Sequence, residues 1–522
     1  MSELQRFVVV ADGDPENLVA AVAERAGLVH AAEQAARRVF LDTADGRLRR
    51  AGTVLEMRTP VRGRRSPTLI WTSVDTGEML AAVDLPVDAE PPRFVEDLPA
   101  SPATARLGEL VEMRALLPQA EVMSRMTTLV LLDVEGKTTV RVMLDDSTLL
   151  GSATLPSMVE LLPVRGYDRE AARLGELLDA QVTLRAVDEP LLDLARRALG
   201  APAYLSSKLR LVLDPDTDAE AAWRSVLSTL AATMADNLRG TLDDTDSEFL
   251  HDFRVAVRRT RSVLQEGAEV LPPDDRTRWR REFKWLGDIT TPTRDADVHL
   301  LDFPVLAETL PPERVADLRP LHQLMVEQQA RAHRELVGHL ESSRYQDLFG
   351  AWQRVLAEPW AGAGPAATRP APVVVAERLA KAWKRVVRDG RRIDDDSPAE
   401  ALHGLRKDAK RLRYLLEAFG SLLEPSGVAT AVKALKGLQD CLGEFQDTEV
   451  QAVALAGFGD DLISRGGVSA ATLLAMGGVV EHLDERGRSA RAQFAARFAA
   501  FDHPDIRRVF RRLIDVPEGS DG

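Results

Sequence analysis

The sequence reads HDFRVAVRRTR at 251–261 and HGLRKDAKRLR at 403–413, and both stretches follow the pattern H-x-x-R-x-x-x-[RK]-R-x-R. The two copies lie 152 residues apart, and the agreement continues beyond them. Cations recur 30 and 33 residues after each histidine, and aspartates recur 37 and 44 residues after it. A slip of one residue would have destroyed this register, so the pattern indicates an internal duplication.

On a helix each residue advances by about 100°, so positions i, i+3, i+7 and i+10 fall on one stripe. The first copy places its histidine and three arginines at these positions. Stacking like charges costs a helix roughly a few tenths of a kcal/mol per neighbouring pair, which a bound anion would offset. The cations 30 and 33 residues on form a second edge on a later helix. If the helices of each half bundle together, the two edges face one another across a basic groove.

A plainer interpretation is that these cations pair with acids on adjacent helices and cover a solvated face. Cations outnumber acids four to one in the first stretch and five to one in the second. The duplication and this excess favour an anion site. Arginine forks and lysine point charges suit phosphate oxygens, and a two-edged groove suits a linear polyanion.

The composition limits the class of protein. The chain has 522 residues, a formal net charge of −14 and one cysteine, Cys441. The single cysteine rules out an intramolecular disulfide and suits a reducing compartment. The N-terminus has no basic leader, and no apolar stretch approaches the length of a membrane span. We therefore expect a cytoplasmic protein without a membrane segment. Its rich alanine, arginine and leucine usage favours a bacterial, GC-rich genome.

Hydrophobic periodicity divides the chain into two parts. Residues 1–212 contain short β-rich runs separated by Gly, Asp and Pro, with a few helical stretches between them. Residues 216–515 have apolar residues at helical spacing. The Pro/Ala/Gly-rich segment 357–375 is predicted to be a linker between helical halves at 216–356 and 376–515. The predicted fold class is α+β, with a mainly antiparallel sheet followed by an all-helical domain.

The duplicated ladder resembles the CHAD domain, the conserved histidine α-helical domain, over roughly residues 216–515. The resemblance implies two four-helix bundles related by pseudo-twofold symmetry around a basic cleft that binds inorganic polyphosphate. It leaves association with polyphosphate granules open. The implied polyphosphate contacts are His251, Arg254, Arg258, Arg259, Arg261, Arg281, Lys284, His403, Arg406, Lys410, Arg411, Arg413, Lys433 and Lys436.

The N-terminal part is similar to the CYTH domain, the triphosphate tunnel fold, through RVFLDTADGRLRRAGTVLEMR at 38–58 and YLSSKLRLVL at 204–213. That family begins with E-x-E-x-K, in which glutamates bind a metal and lysine holds phosphate. Here Glu3, Gln5 and Phe7 occupy those places, and a later E-x-E-x-K becomes Glu160, Leu162 and Val164. One of the paired arginines of a later strand is replaced by an acid, giving Glu56 and Arg58.

These departures predict a catalytically inactive domain without a metal or another cofactor. Metal-dependent triphosphate hydrolysis needs clustered carboxylates for the ion and cations for the phosphates. We expect at most a weak anion site. Its candidate residues are Arg58, Arg125 and Lys208.

Two alternatives stay open. The first is a divergent metal-dependent triphosphatase, and the second is a nonspecific binder of nucleic-acid backbones. The ladders contain no interleaved aromatic side chains that could stack on bases, which disfavours nucleic acid as the partner. The altered metal set of the triphosphatase would be Glu3, Asp42, Asp145, Asp146 and Glu160.

Overall fold

The structure is a computed structural model of the whole chain, and it describes residues 4–10, 23–24, 26–62, 66–150, 155–181, 183–206, 209 and 211–515. Contacts between residues divide the chain into two compact units. The first unit ends at Leu205, and the second begins at Ser206. The first unit is a β-sheet domain with a few helices, and the second is helical, as the predicted α+β class requires. Among the described residues, no helix has the length and apolar content needed to cross a membrane.

The first unit is built on one antiparallel sheet of nine strands in the order β5-β4-β3-β2-β6-β7-β8-β1-β9. The sheet curls, since Leu4 at the start of β1 donates its N–H to Asp75 O, 2.8 Å away in the turn after β4. The strands are Gln5–Val9 (β1), Val29–Asp42 (β2), Thr53–Pro60 (β3), Thr68–Ser73 (β4), Met79–Asp84 (β5), Leu117–Leu132 (β6), Thr138–Leu149 (β7), Met158–Pro163 (β8) and Leu184–Val187 (β9).

Short helices cover this sheet. One of them, Leu191–Ala198, places three leucines in the apolar cluster formed by the concave side of β1, β2, β3 and β8. Alternation along the strands decides which side chains enter that interior, because successive residues point to opposite faces. The helices are Arg47–Arg50 (α1), Pro102–Val111 (α2), Asp168–Asp179 (α3) and Leu191–Ala198 (α4).

The second unit repeats its helices at the interval found in the sequence. Three helices of the first half begin at Ala219, Ser247 and Pro273, and three of the second half begin 152 residues later. The helices are Ala219–Leu242 (α5), Ser247–Glu266 (α6), Pro273–Ala307 (α7), Pro312–Val315 (α8), Arg319–Leu340 (α9), Ser343–Ala357 (α10), Ala371–Gly390 (α11), Ala399–Phe419 (α12), Pro425–Arg465 (α13), Ala470–Phe501 (α14) and Pro504–Ile514 (α15).

One apolar core joins both halves of the helical unit and contains the buried Trp223, Trp279, Trp352 and Phe419. Leucines, valines and phenylalanines from the inner faces of α6 and α12 enter the same core. The ladder cations of these two helices are therefore held on rigid elements, and α6 and α12 lie against each other. A smaller cluster joins the ends of α7 and α13 to α9 and α14.

The segment predicted to be a linker is partly helical and partly a packed connection. Helix α11 begins at Ala371, so the last five residues of the predicted range 357–375 are helical. The preceding connection is packed rather than loose, since Trp360, Ala366 and Ala367 are buried. Its backbone also bonds to the start of α5, where Ala219 N lies 2.9 Å from Arg369 O. Small alanines make this packing feasible, and composition alone does not separate a packed connection from a flexible one.

Candidate functional site

A basic cavity of about 670 Å³ lies between the two halves of the helical unit. Helices α6 and α7 of the first half and α12 of the second half supply its cations, and α13 adds one glutamine. Of the thirteen lining residues in the described part of the chain, nine are arginine or lysine and none is acidic. The lining is Arg258, Arg261, Ser262, Gln265, Arg280, Arg281, Lys284, Arg406, Lys407, Lys410, Arg411, Tyr414 and Gln446.

Helical spacing explains how each helix presents its cations. On α12 the lining positions advance by one, four, five and eight residues from Arg406, which is one helical face. On α6 they advance by three, four and seven from Arg258. The opposite faces of both helices carry the apolar residues of the shared core. Burial of that core therefore forces like charges towards one another across the cavity.

The crowding has measurable consequences for ionisation. Burial, followed by the charges of Arg406 and Arg258, lowers the pKa of Lys410 to about 8. Burial and Arg258 likewise lower the pKa of Arg254 to about 10. The buried Nε of Arg258 has no hydrogen-bond partner among the residues that the structure describes. Burial is the larger cause of both pKa shifts, and the neighbouring cations add to it.

Other predicted contacts are held away from the cavity by protein partners. Arg254 donates to Thr290 Oγ1 at 2.8 Å and to Thr291 Oγ1 at 3.0 Å. Arg259 forms an ion pair with Glu417 at 2.7 Å, and Arg413 lies 3.2 Å from the other oxygen of the same carboxylate. These three arginines are part of the predicted set, but they do not line the cavity.

Neither ladder histidine lines the cavity. His403 Nε2 lies 2.8 Å from Glu449 Oε2, and its ring packs near Phe445 at a centroid distance of 5.9 Å. His251 is half-buried on the corresponding turn of α6. The two histidines therefore do not line the cavity. Their direct contact with phosphate stays a prediction.

The second cationic edge differs between the halves. Arg281 and Lys284 of α7 line the cavity, where Lys284 also pairs with Asp288 at 2.6 Å. Their repeat equivalents on α13, Lys433 and Lys436, are exposed and do not line it. The duplicated sequence therefore does not produce two equal edges around this cavity.

The sequence reasoning missed two lining cations, Arg280 and Lys407. Their repeat equivalents are Val432 and Val255, so a search for repeated cations passes over them. A helical-spacing search would have found both. Lys407 stands three residues before Lys410, and Arg280 stands four residues before Lys284, which places each beside a predicted contact.

In the β-sheet unit, the concave interior contains a cavity of only about 100 Å³. Among the described residues, three arginines and three carboxylates line it, so their formal charges cancel. Arg6 pairs with Glu160 at 2.7 Å, Arg38 pairs with both Glu56 and Asp145, and Arg58 pairs with Glu56. Small-molecule sites usually occupy roughly 300–1,000 Å³, which exceeds this volume.

The pairing also controls ionisation in this interior. Burial alone would raise the pKa of Glu56, but Arg38 and Arg58 overcome that effect and lower it. Conversely, burial would lower the pKa of Arg38, whereas Glu56 and Asp145 raise it. Both groups stay charged inside the protein, each neutralised by a partner. A metal ion or a triphosphate would have to displace these partners.

The predicted alignment of the first E-x-E-x-K pattern is wrong by one residue. Leu4 and Arg6 face the interior cavity, whereas Phe7 packs in the cluster on the other side of β1 beneath α3. Leu4 and Leu162 are among the apolar side chains that line the interior cavity, and Phe7 is not. A slip of one residue moves every side chain of a strand to the opposite face.

The carboxylates proposed to bind a metal in the triphosphatase alternative do not form one cluster in the described part of the chain. Asp42 accepts hydrogen bonds from the backbone N–H groups of Thr43, Leu48 and Arg49, and so fixes the turn that leads into α1. Asp146 accepts from Ser157 Oγ at 2.5 Å and does not line the interior cavity, unlike Asp145. Among the residues that the structure describes, no group of three or more His, Cys, Asp or Glu side chains could hold a metal ion.

The predicted weak anion site is not assembled in the interior. Arg58 is engaged by Glu56, and Arg125 lies half-exposed 3.5 Å from Asp146. Arg125 does not line the interior cavity. Lys208, like Glu3 of the alternative metal set, lies outside the described residues.

Comparison with known proteins places the helical unit. The family model described as "CHAD domain" matches residues 225–456, so the chain carries a CHAD domain there. An uncharacterised protein of Mycobacterium tuberculosis, Rv2226, is 29% identical over 315 residues, which cover 55% of this chain and 59% of the relative. The match thus spans about three fifths of the relative's length.

Two solved structures are also similar to parts of the chain. The CHAD domain from the plant Ricinus communis is 26% identical, with a TM-score of 0.44, and the match covers 59% of this chain and 96% of that one. A putative adenylyl cyclase from Hippeastrum, whose structure is described as revealing a dominant triphosphatase activity, is 17% identical with a TM-score of 0.29. That match covers 39% of this chain and 97% of the other.

Proposed function

Since residues 225–456 form a CHAD domain, we propose that the cavity between its halves binds inorganic polyphosphate. The observation that carries the proposal is a cavity lined by nine cations and no acid, with contributions from both halves. Like charges held together in this way cost free energy in the unliganded protein. A polyanion that enters the cavity removes the cost, so the repulsion favours binding.

The size and lining of the cavity suit a short stretch of a phosphate chain. Its volume of about 670 Å³ lies in the range of small-molecule sites, which is roughly 300–1,000 Å³. Each phosphate group of the chain carries its own charge and several acceptor oxygens, which arginine forks and lysine ammonium groups both satisfy. A long polymer would therefore pass through the site and present a few groups to it at a time.

Polyphosphate fits this lining better than nucleic acid does. Tyr414 is the single aromatic side chain among the lining residues, and its ring is largely buried. Proteins that hold single-stranded nucleic acid combine cations with several aromatic platforms on which bases stack. Without stacking, DNA can bind this lining only through its backbone charges. Polyphosphate has the higher charge density, so DNA should compete with it only weakly.

We assign the β-sheet unit no hydrolytic role. Its interior carboxylates are each paired with an arginine, and the space between them is about 100 Å³. Hydrolysis of a metal-bound triphosphate needs carboxylates that are free to ligate the ion. In this proposal the polyphosphate is held by the helical unit and is not cleaved.

Binding of long-chain polyphosphate to the full chain, measured at several salt concentrations, tests the proposal. The informative variant replaces Arg258 and Lys410 with alanine, since one comes from each half. Charge-assisted contacts contribute about 1.5 kcal/mol or more each, so the double variant should bind more than about 100-fold more weakly. The matched control replaces the exposed Lys433 and Lys436 with alanine, and it should stay within about threefold of the wild type.

The same samples contain double-stranded DNA as competitor, and released phosphate is recorded with Mg²⁺ present. Tight, salt-sensitive binding that DNA does not displace supports the proposal. Equal binding by the wild type and the Arg258→Ala/Lys410→Ala variant would overturn it. Displacement by DNA at equal phosphate concentration would instead identify a nonspecific binder of nucleic-acid backbones.

A further inference from the structure

The duplication predicts two equivalent half-sites, one from each copy of the repeated cations. In the structure, the arginines of one half-site, the open one, face the basic cavity, whereas those of the other, the filled one, are paired with protein side chains. Shifting the lining of the basic cavity by 152 residues generates a second set of positions on α6, α7, α12 and α13. Arg258 and Lys410 are repeat equivalents of each other, and both line the cavity. They are also close enough for Arg258 to lower the pKa of Lys410. This pair therefore belongs to both half-sites and marks the boundary between them.

Arg261 and Arg413 are repeat equivalents with different surroundings. Arg261 is exposed and lines the cavity. Arg413 is half-buried, donates to Gln439 Oε1 at 2.7 Å and lies 3.2 Å from Glu417 Oε1. The guanidinium in the first half is thus presented to the cavity, whereas its counterpart in the second half is occupied by the protein.

The residues that cause this difference can be named from the repeat. The first-half equivalent of Gln439 is Gly287, and that of Glu417 is Gln265. A Cβ atom added at Gly287 would lie 2.9 Å from Arg261 Nη1, so the guanidinium rests on the space that a side chain would fill. Gln265 is neutral and lines the cavity itself. The first half therefore lacks both groups that hold the arginine in the second half.

Glu417 also reaches across to the first ladder. Its Oε2 lies 2.7 Å from Arg259 Nη2 on α6, while its Oε1 faces Arg413 on α12. Both guanidinium carbons lie 5.8 Å from the ring centroid of Tyr414, and Tyr414 lines the cavity. The filled half-site is therefore continuous with the open one, and one carboxylate satisfies the two arginines that would extend it.

We propose that Glu417 acts as an internal anion that occupies the second half-site and so limits how many phosphate groups a bound chain engages. The proposal rests on polyphosphate being the ligand of the basic cavity. A carboxylate between two arginines is a close substitute for a phosphate group, because both present anionic oxygens to the guanidinium fork. A chain seated between Arg261 and Lys410 then finds Arg259 and Arg413 already paired with Glu417 on the Tyr414 side, so these two arginines add little to its binding.

The test compares probes of two lengths. Tripolyphosphate fills the open half-site alone, whereas long-chain polyphosphate can extend into the second. Glu417→Gln keeps the shape of the side chain and removes its charge. At about 150 mM salt this variant should bind long-chain polyphosphate about tenfold more tightly, the effect of roughly one charge-assisted contact, and tripolyphosphate within about twofold of the wild type. Glu481→Gln, at an exposed position on α14, is the charge-matched control and should change neither affinity.

A reciprocal variant keeps the test decisive if Glu417→Gln is unstable. Gln265→Glu places the same carboxylate at the repeat-equivalent position of the open half-site. It should weaken tripolyphosphate binding about tenfold, because the new acid competes for the cavity cations. Thermal unfolding of each variant confirms that the comparison is made between folded proteins.

The outcomes separate this inference from the proposed function. A wild-type protein that binds neither probe refutes polyphosphate binding itself. If the wild type binds both probes but Glu417→Gln leaves their affinity ratio unchanged, the role of Glu417 is refuted and the proposed function stands. Unchanged tripolyphosphate binding by Gln265→Glu would likewise overturn the inference. A rise in the long-chain to tripolyphosphate affinity ratio in Glu417→Gln supports it.

Discussion

Replacing Lys410 with methionine should stabilise the unliganded protein. Lys410 is half-buried on α12 beside Arg406, and Arg258 faces it from α6. Burial and these two guanidinium groups lower its pKa to about 8, compared with 10.5 for an unperturbed lysine. A positive charge at this position therefore opposes folding. Methionine keeps the length and the apolar stem of the side chain while removing the charge.

The direction of the pH dependence follows from the two pKa values. Below pH 8 the lysine is protonated in both the folded and the unfolded chain, and its full cost is present. Between pH 8 and 10.5 the folded protein releases the proton first, so the cost declines as the pH rises. The difference of 2.5 pKa units corresponds to about 3 kcal/mol. Partial exposure screens the charge, which reduces the expected cost to about 1–2 kcal/mol.

Chemical denaturation followed by tryptophan fluorescence measures this effect, because six of the seven tryptophans lie in the helical unit. Lys410→Met should raise the free energy of unfolding by about 1–2 kcal/mol at pH 7, and the gain should shrink by pH 10. Lys433→Met, at an exposed position on α13, is the control and should give no pH-dependent difference. The reasoning fails if Lys410→Met is less stable than the wild type at pH 7, or if its gain is equal at both pH values.

Anion binding should reverse the pKa shift at the same residue. A bound polyanion favours the ammonium form, so at pH 8 about half a proton should be taken up for each site that fills. Isothermal titration in buffers of different ionisation enthalpy measures this uptake. Lys410→Met should abolish it. Equal proton uptake by the variant and the wild type would place the titrating group elsewhere.

Three further predictions concern the β-sheet unit. Arg38→Met leaves the buried Asp145 without its arginine and should destabilise the unit by about 3–5 kcal/mol in a denaturation experiment. Arg37→Met, at the half-exposed neighbouring position, is the control and should cost less than about 1 kcal/mol. Asp42→Ala removes the acceptor of three backbone N–H groups and should lower the unfolding free energy by about 2 kcal/mol. An unchanged melting temperature would contradict the capping role of Asp42. Tripolyphosphate incubated with Mg²⁺ or Mn²⁺ should release phosphate at the background rate, and release that disappears in Glu160→Gln would show that the paired carboxylates still bind a metal.

The repeat made much of the helical unit predictable. Equal spacing of histidines, cations and aspartates required equal helices, and α6 and α12 begin 152 residues apart as that spacing demands. The cavity cations on these two helices, apart from Lys407, belong to the set that this pattern singled out. Arg280 and Lys407 were missed because each has a valine at the repeated position, so they belong to the site through helical geometry and not through duplication.

Other features depend on contacts that no local pattern contains. The removal of Arg413 from the cavity requires Gln439, which stands 26 residues later on α13. In β1, the interior position of Arg6 and the exterior position of Phe7 depend on strand register, which pairs Arg6 with Glu160 of β8. Strand register is fixed by pairing between distant segments, and a five-residue motif leaves it open by one residue.

The paired charges inside the β-sheet unit also restrict how this domain can change over generations. Arg38 holds two buried carboxylates, so replacing any one member of the group leaves an uncompensated charge inside the protein. A change to an open carboxylate site would need the arginine to be lost while a metal ion or a new cation replaces it. Single-residue steps along that route pass through destabilised proteins, which selection removes. Losing any one of these ion pairs therefore costs folding stability, which favours keeping all of them whatever task the domain performs.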